Sequence, residues 1–448
     1  MQQTNHPLAY DAVSMQRPFW PHALMALYGI GWAFTINYEV RFYLSEILSL
    51  ASVAFVNWKG TLQKYPLARS MLLAYCLWIV SIVLADLINE TEIFNSVRAA
   101  STPIFGGITF VFVLTVVSAN ERSFLTFLIA TATAKAVFGE PLYGDKSIDF
   151  ALDVNNALSS SDYFKVRFEP FITPSIVFFV CLLNFFQLRW ASYLVFIVSA
   201  VTYLWLDARS AGVVLFFSSI ITIAIQNRSH IDAALAPILF VAMLACAYGI
   251  YCIYTYESLR SGVGHNAIQL MRMDNPYNPF ELLMQGRSEW SIAIDVIGDR
   301  PIFGFGSWAR DVGNYYDTLM LEKIGVAKEY GEYADNWKYI PVHSLILSSW
   351  VWSGMLGLIS SLFIAKNIFK IFNGIFRSYS PLLPAAVFCF VQIIWHVLFS
   401  PPQTVRFFFP QALAIALVLS AQANSARIYN HMNRLRAGRI DQKWGTGR

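Results

Sequence analysis

The chain has 448 residues, 56% hydrophobic and only 13% charged, with a formal net charge of +4. Soluble domains carry about 25% charged residues, so this composition excludes a water-soluble globular protein and makes lipid the main solvent. The small positive balance gives no reason to expect a nucleic-acid partner.

Residues 1–16 are polar, without a compact basic region or a small-residue cleavage site, so the first apolar run is expected to stay in the protein. Runs of about 17–25 apolar residues predict membrane-spanning helices. About twelve are expected, at roughly Phe19–Ile36, Phe42–Val56, Ser70–Ile88, Thr102–Ala119, Phe124–Phe138 and Phe171–Leu188, then Trp190–Leu206, Ala211–Gln226, Ala233–Tyr254, His343–Ala365, Pro381–Ser400 and Phe407–Ala423. The expected fold is therefore an all-α polytopic membrane protein, with one large, partly helical loop between the ninth and tenth helices. Its parts are helices 1–9 with a small loop at 139–170 (residues 1–254), the large loop (255–342), helices 10–12 (343–423) and a basic tail (424–448). All five cysteines fall inside predicted spans, so neither a disulfide framework nor a zinc pattern is present.

Lysine and arginine set the expected orientation. With the amino terminus in the cytoplasm, the inner loops and tail collect most of them. The short outer connections hold Arg41, Arg98, Arg209 and Arg406. Both termini are then cytoplasmic and both long loops lie outside. The basic tail reads as an orientation and lipid-headgroup signal. Ionisable groups inside spans are costly and mark function; Glu46, Asp86, Lys135, Asp207, Arg209 and His396 all sit at or near outer span ends. Each alone could snorkel to the interface, but their common side predicts a polar cavity opening outward. Asp207, Lys135, His396 and Arg406 are candidates to support it.

In the large loop, Leu283, Arg287, Trp290 and Ile294 recur at helical spacing, with Gly286 weakening the helix and Gly298 and Pro301 ending it. An arginine on that face suits an anionic headgroup or diphosphate; a surface salt bridge to Glu289 or Asp295 is the alternative. The next piece, DRPIFGFGSW, predicts a tight aromatic turn. Its two glycines lack the βαβ setting of a dinucleotide site. A tract rich in tyrosine and charge, Tyr315–Tyr339, leads to His343 at the loop–membrane junction.

Transfer from a lipid diphosphate needs cations for the departing charge and a base near neutral pKa. Arg209, Arg287, Arg300 and His343 offer both without a metal or other cofactor. No HExxH, paired-carboxylate metal motif or G-x-S-x-G elbow occurs.

From His343 to Gly357 the chain reads His-Ser, nine residues, Gly, two residues, Gly. This string resembles the signature His-[Asn/Ser/Gln]-x9-Gly-x2-Gly of the bacterial O-antigen ligase and polymerase superfamily. DARSAG at Asp207–Gly212 is similar to that family's Ser-Arg segment, with Ala208 in place of the serine. GRSEW followed by RPIFGFG, between Gly286 and Gly306, resembles its G-R-x-x-W … P-x-x-G-x-G stretch. The resemblance implies a metal-independent glycosyltransferase of the bacterial inner membrane, acting at the periplasmic face. Its donor would be a glycan on undecaprenyl diphosphate, and its acceptor lipid A-core or a growing glycan. By the same resemblance His343 is the catalytic histidine, Arg209 and Arg287 bind the diphosphate, and Arg300 is a further candidate. O-antigen ligation is the expected reaction. Polymerisation is the nearest alternative, and a lipid-linked sugar flippase, which would call for inverted repeats, belongs to a different class.

Overall fold

The computed structural model describes residues 18–38, 40–139, 164–206, 208–227, 235–262, 265–323, 339–377 and 380–425. Most of the small loop expected at 139–170, the segment 324–338 and the basic tail lie outside the described residues.

The expected helical class holds, with one exception near the amino terminus. Helix α1 (Trp20–Gly31) is only 12 residues long, about 18 Å at 1.5 Å per residue, too short to cross about 30 Å of hydrocarbon. The chain instead turns into a two-stranded antiparallel hairpin, β1 (Thr35–Tyr38) and β2 (Val40–Tyr43), with Thr35 opposite Tyr43. Thr, Ile, Tyr, Val and Phe suit a pleated surface, so local preference overrides the apolar average that suggested two spans. The ten-residue α2 (Leu44–Val53) and the short α3 (Trp58–Lys64) follow.

Helices α4 (Pro66–Ile88) and α5 (Ile93–Ala119) are each long and apolar enough to cross a membrane. On α4, Leu73, Leu77, Val80, Leu84 and Leu87 are exposed, whereas Met71, Ala74, Trp78 and Ile82 are buried. A helix with apolar residues on both faces is solvated by lipid on one and by protein on the other. The run Phe110–Val117 of α5 is buried on every side, which makes α5 the central post.

Next come α6 (Ser123–Phe138), α7 (Glu169–Phe185), α8 (Arg189–Trp205) and α9 (Arg209–Gln226), then α10 (Leu235–Ser261) and α11 (His265–Met271). Among the described residues, α9 is the third helix with the length and hydropathy to span, and α6 and α7 are shorter apolar helices. The large loop contributes α11, α12 (Pro279–Gln285), α13 (Glu289–Asp299) and α14 (Tyr315–Lys323). The single helix expected over residues 280–298 is in fact two, separated by a turn at 286–288 where Gly286 falls.

Helix α15 (Leu345–Asn373) is the fourth potential span. It is followed by α16 (Leu383–Phe399), α17 (Thr404–Phe407) and a last helix, α18, over residues 409–425. Ser70 and Asn367 hydrogen-bond at 2.8 Å. This contact joins the start of α4 to the end of α15, so the two run antiparallel. The end of α4 and the start of α15 therefore lie at the other end of the bundle.

Within α15 the helical backbone breaks at Ser353 and Gly354, where Gly354 has φ 58° and ψ −149°. The turn Ile302–Gly306 fills the break. Phe305 N donates to Val351 O (2.8 Å), Gly306 N to Trp352 O (3.0 Å), and Met355 N to Ile302 O (3.0 Å). In an unbroken helix Val351 O would accept from Met355 N; here both groups bond the turn instead. Irregular backbone at membrane depth persists only when its polar groups are satisfied inside the protein. A Cβ on Gly354 would lie 2.0 Å from Ile302 O, and one on the facing Gly304 2.7 Å from Trp352 O. Gly357 has no room either, because its Cβ would meet Ser349 O at 1.9 Å.

Replacing Gly354 by alanine imposes a backbone strain of about 1–3 kcal/mol and expels the turn. G354A should therefore lower the melting temperature of the detergent-solubilised protein markedly. Gly298, where a Cβ meets nothing within 4 Å, is the control; G298A should gain roughly 0.5–1 kcal/mol from helix propensity. Equal melting temperatures for both variants would show that the break does not support the fold.

Candidate functional site

Arg209 and Arg287 share one cavity, and His343 stands next to Glu289, two residues along from Arg287, without being part of the cavity wall. Arg209 opens α9 and Arg287 occupies the turn between α12 and α13. Both line a cavity of about 490 Å³ whose remaining wall is largely apolar: Leu204, Val213, Phe216, Phe217, Ile250, Leu282, Leu283 and Trp395. Ser210, Tyr251 and Tyr254 add polar groups. An apolar slot with a few convergent polar groups is the usual form of a small-molecule site.

Arg209 Nη2 donates to Gln269 Oε1 at 3.0 Å, which ties the arginine to the loop helix α11. Arg287 donates through Nη1 to Gly286 O (3.2 Å) and lies 5.9 Å from the centre of the Trp395 ring. Its Nε is buried and has no hydrogen-bond partner among the described residues. Burial lowers the pKa of Arg287; Glu289 raises it and Arg209 lowers it again. Two guanidiniums beside one cavity, one with a buried unmet donor, form a site for an anion.

His343 stands one residue before α15. Ser344 caps that helix, accepting from Leu347 N at 3.4 Å, and Ser344 Oγ also donates to Val397 O at 3.2 Å. The cap fixes where the helix starts, and the second bond ties that start to the end of α16. The His343 side chain is 42% exposed, with Nδ1 lying 3.2 Å from Glu289 Oε1. Nδ1 is shielded from solvent, and its approach to Glu289 falls outside hydrogen-bond geometry. Of the two acidic residues expected as alternative partners of Arg287, Glu289 still acts on it electrostatically. Glu289 faces His343, and Asp295 pairs with Lys323.

The remaining candidates separate. Arg300 Nη1 donates to Asn89 Oδ1 (2.9 Å) and its guanidinium lies 4.9 Å from the Phe305 ring centre. It steadies the turn against the end of α4 and does not line the cavity. His396 bonds Gln392 and Ser400, both at 2.9 Å, while the neighbouring Trp395 reaches the cavity. Arg406 forms a buried ion pair with Glu46, whose Oε2 also accepts from Tyr43 N at 2.9 Å. Lys135 lies in the last turn of α6 and is not part of the cavity wall. Asp207 lies outside the described residues.

Trp395, Tyr251, Tyr254 and Gln269 were missed in the sequence, where each reads as an ordinary helical residue. Glu289 was seen only as a partner for Arg287. Its position three residues after the helix-breaking Gly286 was the available signal.

Fold and cavity together define an integral membrane protein with a cation-lined site at one end of its helices. Residues 194–362 match the family model described as O-Antigen ligase. The matched stretch contains Arg209, Arg287, Glu289 and His343, as well as both halves of the Gly304–Gly354 contact. It supports the O-antigen ligase and polymerase superfamily, and with it a glycosyltransferase-like enzyme. No curated protein matches the chain.

Glu46 is 1% exposed and Arg406 5%. Removing one partner of such a pair costs about 3–5 kcal/mol, because the other charge remains buried. E46A should lower the thermal stability of the purified protein by that order, and the double variant E46L/R406M should recover most of the loss. Wild-type melting of E46A would assign the pair no structural role.

Proposed function

We propose that the protein transfers a glycan from undecaprenyl diphosphate to an acceptor hydroxyl, most specifically O-antigen to lipid A-core. The reaction would take place at the periplasmic face of the inner membrane, with both termini cytoplasmic. The observation that carries this reading is the pair Arg209 and Arg287 on the wall of an apolar cavity, with the buried Nε of Arg287 lacking a partner. A polyprenyl diphosphate has the matching form: an apolar chain for the slot and a dianionic head for the two guanidiniums.

In the proposed step the acceptor hydroxyl gives its proton to His343 Nε2 as its oxygen attacks the anomeric carbon of the donor sugar. The new glycosidic bond forms as the bond from that carbon to the diphosphate breaks. The departing electron pair and charge stay on undecaprenyl diphosphate, where Arg209 and Arg287 stabilise them. Charge-assisted, paired hydrogen bonds suit this task, because they strengthen as the leaving group gains charge. His343 serves as the base because a neutral imidazole carries a nitrogen lone pair that can accept a proton. The nearby family reading, polymerisation, uses the same donor and differs only in the acceptor.

H343A should abolish glycan attachment in cells without lowering the amount of protein. Transfer at the normal rate would remove His343 from the site. Carrier-lipid analysis of the same strain separates the reactions. Loss of ligation leaves long glycan on the carrier, whereas loss of polymerisation leaves single repeats attached to lipid A-core. R287A should raise the KM for the donor at least about tenfold, the scale of a lost charge-assisted contact; an unchanged KM would mean that the diphosphate binds elsewhere.

A further inference from the structure

We propose that Glu289 is a positioning residue that holds His343 with its proton on Nδ1 and its lone pair on Nε2. The inference rests on the glycan-transfer reading above and adds a carboxylate to the acid–base apparatus of the site.

An ionised carboxylate only accepts hydrogen bonds. Its 3.2 Å approach to Nδ1 is favourable only when that nitrogen carries the proton, which leaves Nε2 as the basic atom. Nδ1 is shut away from solvent although the side chain as a whole is 42% exposed, so the buried nitrogen is the one suited to keep its proton and Nε2 the one left to take a proton. Glu289 Oε2 is itself buried without a hydrogen-bond partner, a costly state for a carboxylate unless a nearby cation offsets it. Two cations face it: Arg287 from the preceding turn, which interacts with it electrostatically, and the imidazolium that forms when Nε2 accepts a proton. The resting contact lies outside hydrogen-bond geometry, and such contacts tighten when the reacting complex forms.

Glu289 is also rigidly placed. It begins α13, and the next residue, Trp290, donates from Nε1 to Leu398 O (3.0 Å) and stacks on Phe399. The α13 backbone continues into the turn that enters α15. His343 is held through Ser344 to Val397, one residue from Leu398. Carboxylate and imidazole are therefore both fixed to the same end of α16, as a tautomer-setting pair requires.

The test is reconstituted transfer with the full-length protein, using a polyprenyl diphosphate-linked oligosaccharide donor and lipid A-core acceptor. E289Q should lower kcat about tenfold or more while the donor KM stays within about twofold. E289D, which keeps the charge, should retain more activity than E289Q, and the double variant H343A/E289Q should be no slower than H343A. Wild-type kcat in E289Q would overturn the proposal. So would a loss confined to KM, equal loss in E289D and E289Q, or additive losses in the double variant. Full activity of H343A would overturn the underlying reading as well, whereas an inactive H343A beside a normal E289Q would overturn only the role of Glu289. Should E289Q fail to fold, formate rescue of E289A decides: faster turnover supports the proposal and none overturns it.

Discussion

The structure depends on an exchange of backbone hydrogen bonds between the Ile302–Gly306 turn and the middle of α15. Val351 and Trp352 give up helical partners and accept from Phe305 and Gly306, and Met355 donates back to Ile302. These three bonds satisfy the backbone groups they join, so the break persists inside an apolar bundle. The turn is tied at its far side by Ser307 N, which donates to Asp86 Oδ1 at 2.6 Å. Two long helices, α4 and α15, are thus clamped on a segment that is neither. The clamp also sets the position of α13, which runs directly into the turn and carries Glu289 to His343.

The charged groups at this end of the bundle divide by environment. Glu46 and Arg406 are fully enclosed and satisfy one another, with Ser101 and Tyr43 completing the set. Arg209 and Arg287 face a cavity, and the Nε of Arg287 has no hydrogen-bond partner among the described residues. Residue type alone could not separate these cases. An enclosed arginine with a carboxylate in bidentate reach belongs to the architecture; one with a buried unmet donor on a cavity wall belongs to the candidate site.

Much of this was legible in the sequence. The low charge density, the clustering of ionisable residues at one set of span ends and the His343–Gly357 spacing led to the class, to two arginines that share a cavity and to a histidine set against Glu289. The motif's logic was not legible, because spacing says nothing of what a glycine must avoid. Ser344 proves to be a helix cap, Gly354 the break and Gly357 a close contact, so only His343 carries chemistry in the proposed step. The aromatic turn was correctly read as a turn, but its destination, some fifty residues further along the chain, left no local trace. The first two expected spans failed for a different reason. An apolar average over Phe19–Val56 cannot distinguish a continuous helix from a short helix, a hairpin and another short helix. Glu289 was misassigned because i,i+2 neighbours in a turn do not obey helical geometry.

The ties that assemble the site join parts of the chain made far apart in time. Ser307 meets Asp86 across 221 residues, Trp290 meets Leu398 across 108, and Arg406 meets Glu46 across 360. Trp395 and the Val397 carbonyl both come from α16, near the end of synthesis. A nascent chain that has already inserted α4, α9 and the loop therefore has its arginines in place but no finished pocket or anchored histidine. Closing such distant contacts is slow and comes late. The candidate site is consequently complete only once the last helices have arrived.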